Sequence, residues 1–157
     1  MNQQKLSQIF PPLANRIRIL VEAARLGGMN LAVYKGFRSI ERQNYLHSIG
    51  RTIHLDRKTV TGKRGGGSWH NYGLACDLVF KTPGWNWNRK LPWERMGPIG
   101  VGMKLRWGGN FKSFFDGPHF QLTGGLTIAQ AKQLNEAGGI RAVWAEVRKR
   151  LTARGLP

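Results

Sequence analysis

Two short stretches constrain this 157-residue chain more than anything else in it: Ser68-Trp-His-Asn-Tyr-Gly-Leu-Ala-Cys-Asp77 and Asp116-Gly-Pro-His119. They hold two of its four histidines and two of its eight acidic residues, in a chain with 25 Lys and Arg. Neutral imidazole and carboxylate are ligands that a borderline-soft divalent ion such as zinc accepts at about 2.0–2.2 Å. We read His70, Asp77 and His119 as holding one zinc ion, with Asp116 beside it as the proton-transfer group. Three protein ligands leave the fourth position to water, the layout of a catalytic rather than a structural zinc. Any fold that satisfies this reading must bring the two stretches together.

The spacing is compatible with that demand. Gly73 breaks the run between His70 and Asp77, and Ala75-Cys-Asp-Leu-Val-Phe80 then reads as a β-strand. Strand side chains alternate, so Ala75, Asp77 and Val79 share one face, and Cys76, Leu78 and Phe80 the other. In the second stretch Gly117-Pro118 favours a tight turn over a helix. Phe120-Gln-Leu122 continues as a strand, leaving Asp116 and His119 on either side of a bend.

Ser68-x-His70-x-x-Gly73-x-Ala75-x-Asp77 followed by Asp116-x-Pro-His119 resembles the signature of the zinc D-Ala-D-Ala peptidase family. That family includes D,D-carboxypeptidases, vancomycin-resistance dipeptidases and phage endolysins acting as L-alanyl-D-glutamate endopeptidases. Gly36-Phe-Arg-Ser39 with Gln43, and Trp107-Gly-Gly-Asn-Phe-Lys112, are most similar to the endolysin branch. Dipeptidase members carry Glu where this chain has Asp116, which speaks against the dipeptidase reading. The resemblance, spanning roughly Val33 to Leu122, implies an α+β fold of the hedgehog/D-Ala-D-Ala peptidase type, a small antiparallel sheet with helices packed on it. It also implies one zinc ion and cleavage of the peptide stem of peptidoglycan. By the same resemblance Arg38 binds a substrate carboxylate or steadies the developing oxyanion, and Ser68 and Gln43 are substrate-shell candidates.

The length and an apolar share of 41% suit a single folded domain over 1–157, with no separate wall-binding module. A lone cysteine excludes an intramolecular disulfide. The N-terminal residues have no apolar core of secretory length, and no stretch approaches a membrane span. The expectation is a monomer held in the host bacterial cytoplasm until something else releases it to the wall. The net charge of +17 fits a polyanionic partner, an anionic envelope surface or nucleic acid, or simply a solvated surface. Aromatics among basic residues suit single-stranded nucleic acid, but no nucleic-acid module accompanies them, so no dedicated partner of that kind is expected.

Along the chain, Leu13, Ile17, Leu20, Val21 and Ala24 repeat at helical spacing and Gly27-Gly28 ends the run. Leu31–Lys35 reads as a strand. Ser39 caps a helix through Ser48, with Gly50 as its stop, which puts Arg38 at a strand-to-helix junction. Residues 51–67 are polar and basic, either a mobile flap or a plain connector. Prolines 83, 92 and 98 divide the tryptophan-rich 81–112 segment into loops, and Trp85-Asn-Trp87 alternates as a strand would. At least half of the tryptophans there serve as core filler. Thr127-Ile-Ala-Gln130 opens a helix as a capping box, Gly138-Gly139 closes it, and a last basic amphipathic helix presents Ile140, Val143, Trp144, Val147 and Leu151 on one stripe.

The residues and the resemblance together give a zinc peptidoglycan endopeptidase of a phage or prophage, lytic and cleaving the stem peptide at its L-alanyl-D-glutamate bond. The alternative within the class is a D,D- or L,D-carboxypeptidase that trims stems. The alternative outside it is a basic protein binding nucleic acid or an anionic surface, with a structural zinc or none. A structural zinc needs a fourth protein ligand, and none is evident near these motifs.

Overall fold

The computed structural model describes residues 3–81, 85, 86, 88 and 90–156. Five helices are present among them: α1 Gln3–Ser7, α2 Pro11–Leu26, α3 Ile40–Ser48, α4 Trp93–Gly102 and α5 Ile128–Thr152. The strands are β1 Leu31–Lys35, β2 Ala75–Lys81, β3 Trp85–Asn86, β4 Arg106–Trp107 and β5 His119–Gln121. The chain forms two compact units, one from the chain up to Gly36 with Leu74–Leu122, the other from Phe37–Gly73 with the chain from Thr123.

The first unit holds the whole sheet, in the order β1-β2-β5-β4 with β3 also paired to β2. Every pairing is antiparallel, as expected from the sequence. Strand β2 is the spine: it pairs Val33 with Leu78 on one side and Cys76 with Phe120 on the other. Helix α2 starts with proline at its first positions, where a missing N–H costs nothing. It buries Leu13, Ala14, Ile17, Leu20, Val21 and Ala24, one stripe at helical spacing. With Phe10, Leu78, Met96, Trp93 and Phe120, these residues form a core of nearly solvent-free side chains.

Helix α4 departs from the sequence expectation, because Pro98 lies inside it rather than in a loop. An interior proline costs a helix about 3 kcal/mol, through the lost N–H bond and the ring's clash with the preceding turn. Burial of Trp93 and Met96 offsets that, at roughly 1.5–3 kcal/mol for each large apolar side chain. Gly97 and Gly100 on the same helix let it press close, since a Cβ on either would overlap the Trp107 or Phe120 ring. Trp93 and Trp107 are thus core residues, as expected for half of the segment's tryptophans. The expected strand at 85–87 is present at Trp85–Asn86, while residue 87 falls outside the described residues.

In the second unit, Ser39 caps α3 by accepting the Arg42 N–H, as its sequence position suggested. Helix α5 opens on the Thr127–Gln130 capping box and is kinked where Gly138 and Gly139 leave helical geometry, Gly139 at φ 68°. The kink is where the sequence ends one helix and begins the next. The last arm buries Val143, Val147 and Leu151 and leaves Arg141, Arg148 and Lys149 exposed. Trp144 Nε1 donates to the Tyr72 carbonyl at 2.8 Å, tying that arm to the 3₁₀ turn Trp69–Tyr72. Segment 51–67 is fastened at several points: Gly50 N–H to the Ile53 carbonyl, Arg51 Nη1 to the Thr61 carbonyl, and Gly65 N–H to Asn44 Oδ1. Of the two readings open for it, a fastened connector is the one its bonds describe.

Candidate metal centre

His70 stands on the 3₁₀ turn Trp69–Tyr72, which Gly73 closes in the left-handed conformation at φ 62°. That conformation is cheap only for glycine, so the break after His70 is written into the motif. The side chain is 3% exposed, and the His70 carbonyl accepts the Arg38 N–H at 3.0 Å. Its neighbour Asn71 is a buried tie. The Asn71 Oδ1 accepts the N–H groups of Gly66 and Ser68 at 3.0 and 3.3 Å, and Nδ2 donates to the Arg38 carbonyl at 2.9 Å. Ser68 therefore sits half-buried at the head of the turn, with its backbone fixed by Asn71.

Arg38 is half-buried and donates from Nη1 to Gln43 Oε1 at 2.9 Å. Gln43 itself has no exposed surface, and its Nε2 donates to the Lys63 carbonyl at 2.7 Å and to Thr61 Oγ1 at 3.4 Å. The Gln43 side chain is thus buried and bonded to Arg38 and segment 61–63. A buried amide costs free energy unless it is hydrogen-bonded, which explains why Gln43 is used internally.

Asp77 and His119 face each other across β2 and β5 as register partners. Asp77 Oδ1 lies 3.1 Å from His119 Nδ1, with the two side chains 15% and 11% exposed. His119 Nε2 lies 3.1 Å from Gln121 Oε1, also buried. Burial lowers the His119 pKa, but the hydrogen bond and charge of Asp77, the charge of Asp116 and the Gln121 contact outweigh it and hold the value above the ordinary one. Between these strands, Cys76 takes the opposite face and is fully buried, as alternation requires. Burial first, and then the Asp77 charge, push its thiol pKa well above the usual value.

Asp116 lies in the turn that delivers His119. Its carbonyl accepts the His119 N–H at 3.2 Å, and its own N–H donates to the Gly108 carbonyl at 3.1 Å. Trp107 Nε1 holds the same turn through the Gly117 carbonyl at 2.7 Å. A Cβ at position 108 would overlap the Asp116 carbonyl oxygen, so only glycine lets the two segments approach. The Phe111 ring packs beside the imidazole of His119, with centroids 5.8 Å apart.

His70 in one unit, and Asp77 and His119 in the other, each offer one ligand atom of a kind that binds a metal ion. Two imidazoles and a carboxylate suit zinc by donor chemistry. The two ring nitrogens of His119 face Asp77 Oδ1 and Gln121 Oε1, each at 3.1 Å. The donor set therefore fits a metal ion. Sequence reasoning passed over Gln121 and Asn71. Strand alternation two residues after His119 signals the first, and its place inside the motif beside His70 the second.

Two family models, each described as D-alanyl-D-alanine carboxypeptidase, match residues 6–90 and 61–122. The chain is 35% identical over 126 residues to the peptidoglycan L-alanyl-D-glutamate endopeptidase CwlK of Bacillus subtilis, covering 74% of each protein. The crystal structure of the L-Ala D-Glu endopeptidase ChiX of Serratia marcescens aligns with a TM-score of 0.55 at 27% identity, over 77% of this chain and 85% of that one. A vancomycin resistance D,D-pentapeptidase, VanY, determined as an E175A mutant with Zn(II), shares the fold at a TM-score of 0.52 and 15% identity, over 83% of this chain and 80% of that one. Matched over more than half its length by a family model and over three-quarters of its length by a curated relative, this chain belongs to the D-alanyl-D-alanine carboxypeptidase family of metallopeptidases.

Proposed function

We propose that this chain is a zinc-dependent endopeptidase that cleaves the L-alanyl-D-glutamate bond of the peptidoglycan stem, acting as one catalytic domain over 1–157. The observation that carries the choice of bond is its 35% identity, over 74% of both chains, to an endopeptidase of that specificity. His70, Asp77 and His119 hold a single zinc ion. When bound, the ion supplies Lewis-acid polarisation of a carbonyl and a water of lowered pKa. Asp116, in the turn beside His119, takes a proton from the attacking water and delivers it to the leaving amine. Arg38, held by Gln43, places a positive charge where negative charge develops on the scissile carbonyl oxygen. Ser68 contributes to the substrate shell at the head of the His70 turn.

The natural setting of such an enzyme is lysis by a phage or prophage. In that setting the chain acts as a monomer, is held in the host cytoplasm and is then released to the wall. Among the described residues no helix is long and apolar enough to cross a membrane. The net charge of +17, with exposed Arg57, Lys58, Lys63 and Arg64 on one segment and Arg148 and Lys149 on another, supports attraction to a polyanionic surface such as the envelope.

Mass spectrometry of purified peptidoglycan after digestion, with and without a chelator, tests this reading. New amine termini on D-glutamate that disappear with chelator are the expected result. The second reading is a carboxypeptidase, favoured by the description of both matching family models. Loss of terminal D-alanine alone would select it, and unchanged wall fragments would sink both.

A further inference from the structure

We propose that Gln121 is a positioning residue that fixes the tautomer of His119 and so presents its Nδ1 to the metal. The inference rests on the reading of His119 as a ligand. Along β5 the side chains alternate, putting His119 and Gln121 on one face and Phe120 on the other, where it is fully buried. Gln121 is 4% exposed, and its backbone is set in the sheet between Ala75 of β2 and Arg106 of β4. Its side chain thus starts from a fixed point.

Its Oε1 lies 3.1 Å from His119 Nε2. A carbonyl oxygen only accepts, so this contact keeps the proton on Nε2 and leaves the lone pair on Nδ1. Nδ1 is the atom that faces Asp77 Oδ1 at 3.1 Å. The glutamine therefore does two things through one bond. It selects the tautomer whose free lone pair lies beside the carboxylate, and it holds the ring plane in that direction. Without it a neutral His119 can carry its proton on Nδ1, where it would donate to Asp77 and block the ligand position. Partners of this kind are typically worth about 10–100-fold in metal affinity.

Zinc affinity of the full-length chain, measured by competition with a chromophoric chelator, provides the first test. Gln121→Leu is expected to weaken zinc about 10–100-fold. Gln121→Glu, which keeps an acceptor at the same place, should stay close to wild type. The second measurement is a long-range ¹⁵N–¹H correlation of the histidine rings in the zinc-loaded wild type, where His119 should carry its proton on Nε2. A folded Gln121→Leu protein with unchanged zinc affinity would overturn the proposal, and so would a proton on Nδ1 of His119. If Gln121→Leu does not fold, the wild-type spectrum decides alone. Failure of the underlying ligand reading is separable: His119→Ala would then bind zinc as tightly as wild type.

Discussion

His70 and His119 are held in two different ways. The turn that carries His70 is fixed by buried amides: Asn71 ties Gly66, Ser68 and Arg38, and Gln43 ties Arg38 to Lys63. The strand that carries His119 is fixed by β-pairing on both sides and by packing, with Phe120 buried, and Gly97 and Gly100 admitting the Trp107 and Phe120 rings. A polar mount is directional and loses its geometry when one partner is removed. An apolar mount is non-directional and loses free energy in proportion to the surface and volume taken away. The two should therefore fail differently: the first in the site, the second in global stability.

The largest expected effect ignores the mounts altogether. His70→Ala, Asp77→Ala and His119→Ala should each abolish stoichiometric zinc and peptidase activity, and elemental analysis of the purified variants checks this. Full zinc content in any one of them removes that residue from the ligand set.

Phe120→Ala and Asn71→Ala then set the mounts against each other. Phe120→Ala should cost about 3–5 kcal/mol in urea unfolding, the range for large aromatic truncations in a core. Asn71→Ala should cost less, roughly 1–3 kcal/mol for the polar groups left unmatched. Yet per kcal/mol lost it should weaken zinc more. Equal loss of zinc affinity at equal loss of stability in both variants would erase the distinction.

Asp116 belongs to neither mount in its proposed role, although its backbone helps to place His119. Asp116→Asn should keep zinc and the unfolding midpoint while the turnover rate falls about 10²-fold or more. Disappearance of zinc in this variant, with zinc retained in Asp77→Asn, would exchange the roles of the two carboxylates.

Cys76 offers the smallest effect and sharpens the apolar side of the comparison. It sits fully buried opposite Phe120 in the β2–β5 register, on the other face from Asp77. The native protein should leave this thiol unlabelled by a thiol-reactive dye that labels it readily in urea. Cys76→Ala should keep zinc and most activity, with a modest loss of stability. A folded Cys76→Ala protein without zinc would place the sulfur in the site and overturn the strand register.

Much of the frame was legible because its signals are local. Strand alternation placed Cys76 and Asp77 on opposite faces, Gly73 marked the turn after His70, Ser39 announced α3, and Gly138-Gly139 announced the kink of α5. Each of these depends on a few adjacent residues and on backbone sterics, so the chain carries it wherever it folds. Pro98 misled for the same reason. Its local preference argues against helix, whereas the burial of Trp93 and Met96 that overrides it is a property of the packed core.

The tertiary structure alone decided which polar groups meet. Gln43, a substrate-shell candidate by resemblance, has no partner legible in sequence and becomes a solvent-free clamp on Arg38 and Lys63. Gln121 becomes the partner of His119, and Asp77 Oδ1 lies 3.1 Å from His119 Nδ1. The sequence determined the donor types, the turn and strand that carry them, and the direction each alternates towards. It could not determine their partners. A buried hydrogen bond or ligand set depends on distance and orientation between residues far apart in the chain, and only the packed apolar core sets those.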